Sequence, residues 1–242
     1  MILKYQNLRV PNLNSLLFFL LSVCLVGCTY RPDELAEPLV FSVLTQAPEG
    51  LACASCCAVG DKVYLYGGRA HDPAHQNASL FCYDSVDSVW TTIPTTIHPR
   101  IHAVMTTDGS RLFIGLGFTN GKAQQDSCYL QDWWSYDPQS NEWTALAPYP
   151  ARSTNKAVAG YYRDTVYVLF GSTNGINNDC YAYAVLSDTW TRLPEYNTPS
   201  MRLSTIGALH EDQAYLGLGF DGLNLNDWYR CSLQEGIWSR CA

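Results

Sequence analysis

The sequence predicts an all-β fold, a β-propeller with four recognisable four-stranded blades, and three observations carry that expectation. Trp90, Trp143, Trp190 and Trp238 recur 53, 47 and 48 residues apart, a near-fixed period in the range of repeat architectures. Seven residues before each Trp stands Tyr83, Tyr136, Tyr183 or, in the last unit, Cys231, with a polar turn between. Some 22 to 24 residues after a Trp position comes a short apolar run that stops at Gly: "VYLYGG" at 63–68, "LFIGLG" at 112–117, "VYVLFG" at 166–171 and "AYLGLG" at 214–219. Such runs are rich in β-branched and aromatic residues and end where a backbone reversal suits glycine.

One unit therefore reads as four strands. Strand a is "RIHAVMTT" at 100–107 or "RLSTIGAL" at 202–209, b is the run ending in Gly, c is of the "WWSYD" type, and d carries the Trp. Four strands at this period make a propeller blade, and the units fall at about residues 50–94, 99–148, 151–195 and 201–242. This pattern resembles the kelch repeat over about residues 41–242. The double glycine is intact only at Gly67-Gly68, the other units having "LG" or "FG". "GLGF" followed by "QDWW" or "NDWY" resembles the kelch arrays of bacterial envelope proteins.

Taken from its start, the chain opens on a targeting segment, residues 1–27. Lys4 and Arg9 precede a 13-residue apolar run at 15–27, too short for a permanent membrane helix. Its end, "LVGC", resembles the lipobox of bacterial lipoproteins, which implies lipidation of Cys28 after cleavage. The alternative is an ordinary secretory signal in which Cys24 and Cys28 are incidental. A lipid would tether the chain to an outer membrane, on its periplasmic or cell-surface side, through acyl chains alone. Residues 28–39 read as a flexible tether, and its Asp33, Glu34 and Glu37 resemble the surface-export signals of Bacteroidota lipoproteins; a solvated linker is the competing reading. Without residues 1–27 the formal charge moves from −7 to −9, since Lys4 and Arg9 are their only charged groups. Such a balance opposes binding to nucleic acid.

Residues 41–48, "FSVLTQAP", match "WTALAP" at 143–148 with Phe41 in the Trp place. They predict an extra N-terminal d strand, although the last blade already owns one at Trp238. Five d strands and four a–b–c sets leave two readings, four blades closed on themselves with a spare strand, or an incomplete, open array. The sequence favours the open array, whose edges would invite pairing with another chain.

Eight cysteines follow Cys28, an even number compatible with disulfides in an exported chain. If Cys231 faces Trp238 across the c–d turn, Cys241 lies opposite Trp228, so Cys231 and Cys241 are not expected to bond. Cys53, Cys56 and Cys57 have no second cluster at ligand spacing, and strand alternation sends Cys56 and Cys57 to opposite faces. Buried thiols or a disulfide are favoured there over zinc. Single Cys residues on c strands read as small apolar core groups.

In a propeller the a strands line the central channel, and the d–a and b–c loops gather at one mouth. Arg100, Arg152 and Arg202 each open a strand a, which predicts three guanidiniums around that mouth, suited to a carboxylate or acidic sugar. Leu51 breaks the ring in the first unit. The competing reading has these arginines tying blades together through backbone carbonyls. His102 in the "RxHA" position, Asn155 and Asn174 complete the candidate ligand-binding set, with a structural role favoured for His102. The polar b–c loops suit recognition of a protein or glycan, while Trp133, Trp134, Trp228 and Tyr229 read as packing rather than sugar platforms. No metal site, cofactor motif, nucleophile elbow or phosphate loop is present.

The kelch resemblance implies either a binding scaffold or an enzyme, and the lack of a catalytic set favours a non-catalytic envelope module binding a protein or glycan. The alternative resembles the sialic acid mutarotases (the N-acetylneuraminate epimerase type). A copper oxidase resembling galactose oxidase shares the fold, but its Tyr, His and cross-linked Cys ligands find no match in this chain.

Overall fold

The computed structural model describes residues 45–72, 76–119, 128–151, 156–172, 176–194, 202 and 204–241. Residues 1–27, Cys28 and the tether lie outside the described residues. Contacts divide the chain into two units, Met1–Ala47 and Pro48–Ala242. Of the first, only Thr45, Gln46 and Ala47 are described. They form no strand, and the expected extra strand at 41–48 otherwise falls outside the described residues.

The second unit is all-β, with four antiparallel four-stranded blades and no helix among the described residues. Blade 1 comprises β1 (Ser55–Val59), β2 (Lys62–Tyr66), β3 (Leu80–Asp84) and β4 (Val89–Ile93). Blade 2 has β5 (Val104–Thr107) and β6 (Leu112–Gly115). After a small hairpin of β7 (Phe118–Thr119) and β8 (Cys128–Tyr129), it is completed by β9 (Trp133–Asp137) and β10 (Glu142–Leu146). Blade 3 is β11 (Val158–Tyr162), β12 (Thr165–Ser172), β13 (Ile176–Ala184) and β14 (Thr189–Arg192). Blade 4 is β15 (Ile206–His210), β16 (Gln213–Gly217), β17 (Trp228–Ser232) and β18 (Ile237–Arg240).

The expected a strands begin four residues late. Arg100 and Arg202 stand ahead of β5 and β15, because His102 (φ 53°) and Ser204 (φ 57°) adopt left-handed backbone and break the extended run. The glycine doublets, by contrast, keep one geometry whatever their sequence. Gly67 (φ 69°), Leu116 (φ 55°), Phe170 (φ 60°) and Leu218 (φ 56°) all turn left-handed before the following glycine. A Cβ on Gly67 would stand 2.5 Å from the Arg100 carbonyl oxygen, so only blade 1 requires glycine at that position.

The repeating indoles occupy one register. Tyr83 pairs with Trp90, Tyr136 with Trp143, Tyr183 with Trp190 and Cys231 with Trp238. The rings of the first three pairs meet at a tilt, 5.1, 4.7 and 5.0 Å between centroids. Where Cys231 replaces Tyr, Trp238 instead meets Phe170 of the previous blade at 5.6 Å. Blades 2, 3 and 4 each turn the Trp-bearing face toward the preceding blade, and three apolar cores fill the junctions 1–2, 2–3 and 3–4. Among the described residues no such core joins blade 4 to blade 1. Cys82, Cys180 and Cys231 are buried in these cores, as expected for small apolar groups. Cys241 donates its amide to the Trp228 carbonyl (2.8 Å), opposite Trp228 and away from Cys231.

Candidate functional site

The hub is built from one backbone feature used four times. Two residues ahead of each inner strand stand Cys53, His102, Lys156 and Ser204, with φ of 61°, 53°, 56° and 57°. Left-handed backbone costs a non-glycine residue about 1–3 kcal/mol and collects where a site requires it. It bends each incoming segment so that all four blades reach one cavity of about 360 Å³. Residues 53–55, 102–103, 156–157 and 204–205 line it. The His102 amide donates to the Cys53 carbonyl (2.9 Å), and the Ser55 hydroxyl donates to the Ala103 carbonyl, so blades 1 and 2 are joined at the rim.

Lys156 supplies the formal charge in this cavity; His102 lines it too, and among the described residues no carboxylate does. Burial first, then Lys156 and Arg69, hold the His102 imidazole below its ordinary 6.5, so it is neutral near pH 7. Thr205 is 8% exposed, and among the described residues its hydroxyl has no hydrogen-bond partner. A buried hydroxyl in that state gains from a polar group entering the cavity. The site can therefore accept an anionic or hydrogen-bonding group.

Two of the three arginines expected at the mouth are described, and both are engaged elsewhere. Arg100 is fully buried. Its Nη1 and Nη2 donate to Asp132 at 2.7 and 2.6 Å, while Nε and Nη1 also reach the carbonyls of His98 (2.9 Å) and Leu116 (3.0 Å). Arg202 repeats the arrangement with Asp227 and the Leu218 carbonyl. Neither reading of these arginines holds as expected: each ties segments within its own blade rather than two blades, and mainly through a carboxylate, Asp132 or Asp227, that sits directly before the c strand. Arg152, Asn155 and Asn174 lie outside the described residues.

The carboxylate partners were missed in the sequence, although a signal was there. Asp132 immediately precedes Trp133, and Asp227 immediately precedes Trp228. In blade 1, register puts Leu51 in the Arg place and Ser79 in the Asp place. Across blades 1, 2 and 4, Arg and Asp are present together or replaced together, which marks a pair; in blade 3 Asp179 holds the Asp place and pairs with Arg192.

The other aromatic and cysteine candidates are structural. Trp133 is buried and meets Phe113, Tyr183 and Trp190 across junction 2–3, while the Trp134 indole donates to Asp132 (2.8 Å). Cys56 and Cys57 take opposite faces of β1, Cys57 joining junction 1–2, whereas Cys53 and Cys56 are exposed rather than buried. Among the described residues no group of His, Cys, Asp or Glu has the geometry to hold a metal ion.

Residues 53–242 match the KLHDC2/KLHL20/DRC7 Kelch-repeats domain. The chain is similar to Kelch-like protein terF of Aspergillus terreus, 30% identical over 154 residues, which is 59% of this chain and 33% of that protein. It is 25% identical over 161 residues to Kelch repeat and BTB domain-containing protein 8 of Homo sapiens (63% and 23%). It is also 32% identical over 106 residues to N-acetylneuraminate epimerase of Pasteurella multocida (41% and 25%). The chain spans a third or less of the length of these curated relatives.

Proposed function

Because the chain belongs to the kelch-repeat family, we propose that it is a non-catalytic recognition module whose hub cavity receives an acidic segment of a partner protein. The composition of the cavity carries this reading. Among the described residues, Lys156 and His102 line it, no carboxylate does, and Thr205 brings a buried hydroxyl without a hydrogen-bond partner. A carboxylate entering there meets a cation in a partly desolvated setting, where charge-assisted hydrogen bonds are strong. The test is calorimetric titration with a hexaglutamate peptide. Saturable binding that Lys156→Ala weakens about tenfold supports the reading, and absence of saturable heat overturns it.

A second reading is an enzyme acting on a carboxylated sugar, and the similarity to N-acetylneuraminate epimerase favours it. Nuclear magnetic resonance of N-acetylneuraminate with the protein distinguishes the two. Accelerated exchange between the sugar's anomers supports the enzyme, whereas unchanged exchange alongside peptide binding supports the scaffold.

Anchoring at the bacterial outer membrane through a lipid on Cys28 belongs to the same proposal, resting on "LVGC" after the apolar run. Incorporation of labelled palmitate in bacterial expression, lost in Cys28→Ser, is the expected result. Equal labelling of both chains would refute it.

A further inference from the structure

Blade 4 presents a face that the rest of the chain keeps covered. Val104 pairs with Gly115 and, one strand further, with Trp133; Val158 pairs with Leu169 and then Cys180. Both valines face the following blade and are 2% and 8% exposed. Ile206 holds the same register, paired with Gly217 and then Trp228, yet it is 54% exposed. Along the same face, Ala208 and His210 of β15, Arg230 of β17, and Ile237 and Ser239 of β18 are exposed as well, the Arg230 guanidinium donating to the Ser239 hydroxyl (3.1 Å). The opposite face of blade 4 is in use, with Leu209, Ala214, Cys231 and Trp238 in the core of junction 3–4.

We infer that this face of blade 4 is the surface through which two copies of the chain associate, face on face about a two-fold axis. This sheet face, with Ile206 at a register position that is buried in the two preceding blades, continues an established interface, and exposed apolar patches on soluble domains mark interaction sites. The distribution of apolar residues selects the partner. Eight large hydrophobics are exposed among the described residues, and five of them belong to blade 4: Ile206, Leu218, Phe220, Leu223 and Ile237. Leu218 directly follows Gly217, the cross-strand neighbour of Ile206. The other three, Val86, Val89 and Leu186, sit on c–d hairpins of blades 1 and 3.

The corresponding Trp-bearing face of blade 1 offers no free complement, because Phe81 and Tyr83 on it are already buried. The apolar part of the face, around Ile206 and Ile237, therefore finds its complement in a second copy, with Arg230 and Ser239 as the polar groups of the contact. A self-complementary patch closes as an isologous pair rather than growing into a fibre, and two sheet faces pack about 10 Å apart with their side chains interleaved. Ile206 and Ile237 stand at opposite corners of the face, so each tests a different part of the contact. The inference does not depend on what the hub cavity binds.

Sedimentation equilibrium of the full chain in mild detergent tests it, comparing wild type with Ile206→Lys, Ile237→Lys and the control Leu186→Lys. The expected result is a concentration-dependent dimer whose dissociation constant rises about tenfold or more in both blade 4 variants and is unchanged in the control. Both substituted positions are exposed, and a far-ultraviolet circular dichroism spectrum matching wild type verifies that each variant folds. A wild type that stays monomeric leaves the face for a different polypeptide and overturns the proposal. Self-association equally strong in all four chains places the contact elsewhere and overturns it too, as does open-ended assembly beyond a dimer.

Discussion

Arg100 and Asp132 form a two-pronged pair, at 2.7 and 2.6 Å, in which the guanidinium is wholly enclosed and the carboxylate is about a quarter exposed. Removing the carboxylate leaves a buried cation without its counter-charge, held only by the His98 and Leu116 carbonyls, and breaking a buried pair in this way costs about 3–5 kcal/mol. Asp132→Ala is therefore expected to lower unfolding free energy by that order in guanidinium titrations. Blade 1 solves the same position with Leu51 and Ser79, so Arg100→Leu combined with Asp132→Ser is expected to cost clearly less than Asp132→Ala alone. Equal losses in the single and paired variants would count against the ion pair as the source.

The pairs also set the response to acid. Burial alone would raise the Asp132 carboxyl, but hydrogen bonds and charge from Arg100 outweigh it and hold the group below its ordinary 3.8. The Arg202 hydrogen bond holds Asp227 below that value too. Below about pH 4 the unfolded chain binds these protons first, so the stabilisation is complete above that pH and is lost as pH falls through the lowered values. Denaturant midpoints measured from pH 6 to pH 2 are expected to fall steeply below 4. The slope is expected to be shallower in the Arg100→Leu, Asp132→Ser chain.

Periodicity made the blades legible, because Trp90, Trp143, Trp190 and Trp238 each answer to one cross-strand place. The register argument for Cys241 and Trp228 needed only the length of one turn. The hub was not legible, since its lining is set by backbone handedness at Cys53, His102, Lys156 and Ser204, four unlike side chains with no shared letter. Lys156 carries the cavity's fixed charge, yet nothing in "STNKAV" separates it from a solvated lysine. Arg100 and Arg202 stood out as single residues, whereas their meaning lay in Asp132 and Asp227, 32 and 25 residues further on.

His102 reports on the cavity directly. Burial is the first cause of its lowered basicity, and the nearby charges of Lys156 and Arg69 add to it. Replacing Lys156 with Met removes one of those charges, so the imidazole is expected to titrate at a higher pH. A carboxylate bound beside it is expected to move the midpoint in the same direction. Proton resonances of the ring followed through pH 5 to 8 measure both, and a midpoint unmoved by Lys156→Met would place the lysine too far away to act.

Gly160 of β11 lies against Leu209 of β15, and a Cβ built there would stand 2.6 Å from the leucine Cβ. Both residues sit in regular strands where backbone freedom is not at issue, so the effect of Gly160→Ala comes from forcing blades 3 and 4 apart. Overpacking of this kind costs about 1–3 kcal/mol. A second change, Leu209→Ala, opens space on the other side of the contact and is expected to recover part of that loss in the double variant. Unfolding curves for the two single variants and the double variant test this, and strict additivity would mean that the two residues do not share the junction.

Thiol chemistry divides the cysteines by where each blade face points. Cys53 and Cys56 are exposed, whereas Cys57, on the opposite face of β1 from Cys56, is pushed up to about 12 by burial first and by neighbouring Cys56 second. Burial likewise raises Cys180 and Cys231 to about 12. Only the thiolate reacts, and a group at 12 is about one part in ten thousand ionised at pH 8. Iodoacetamide at pH 8 followed by peptide mapping is therefore expected to modify Cys53 and Cys56 within minutes. Cys57, Cys180 and Cys231 are expected to remain protected until denaturant opens the junctions. Rapid labelling of Cys231 in native buffer would mean that the core between blades 3 and 4 opens far more readily than its packing implies.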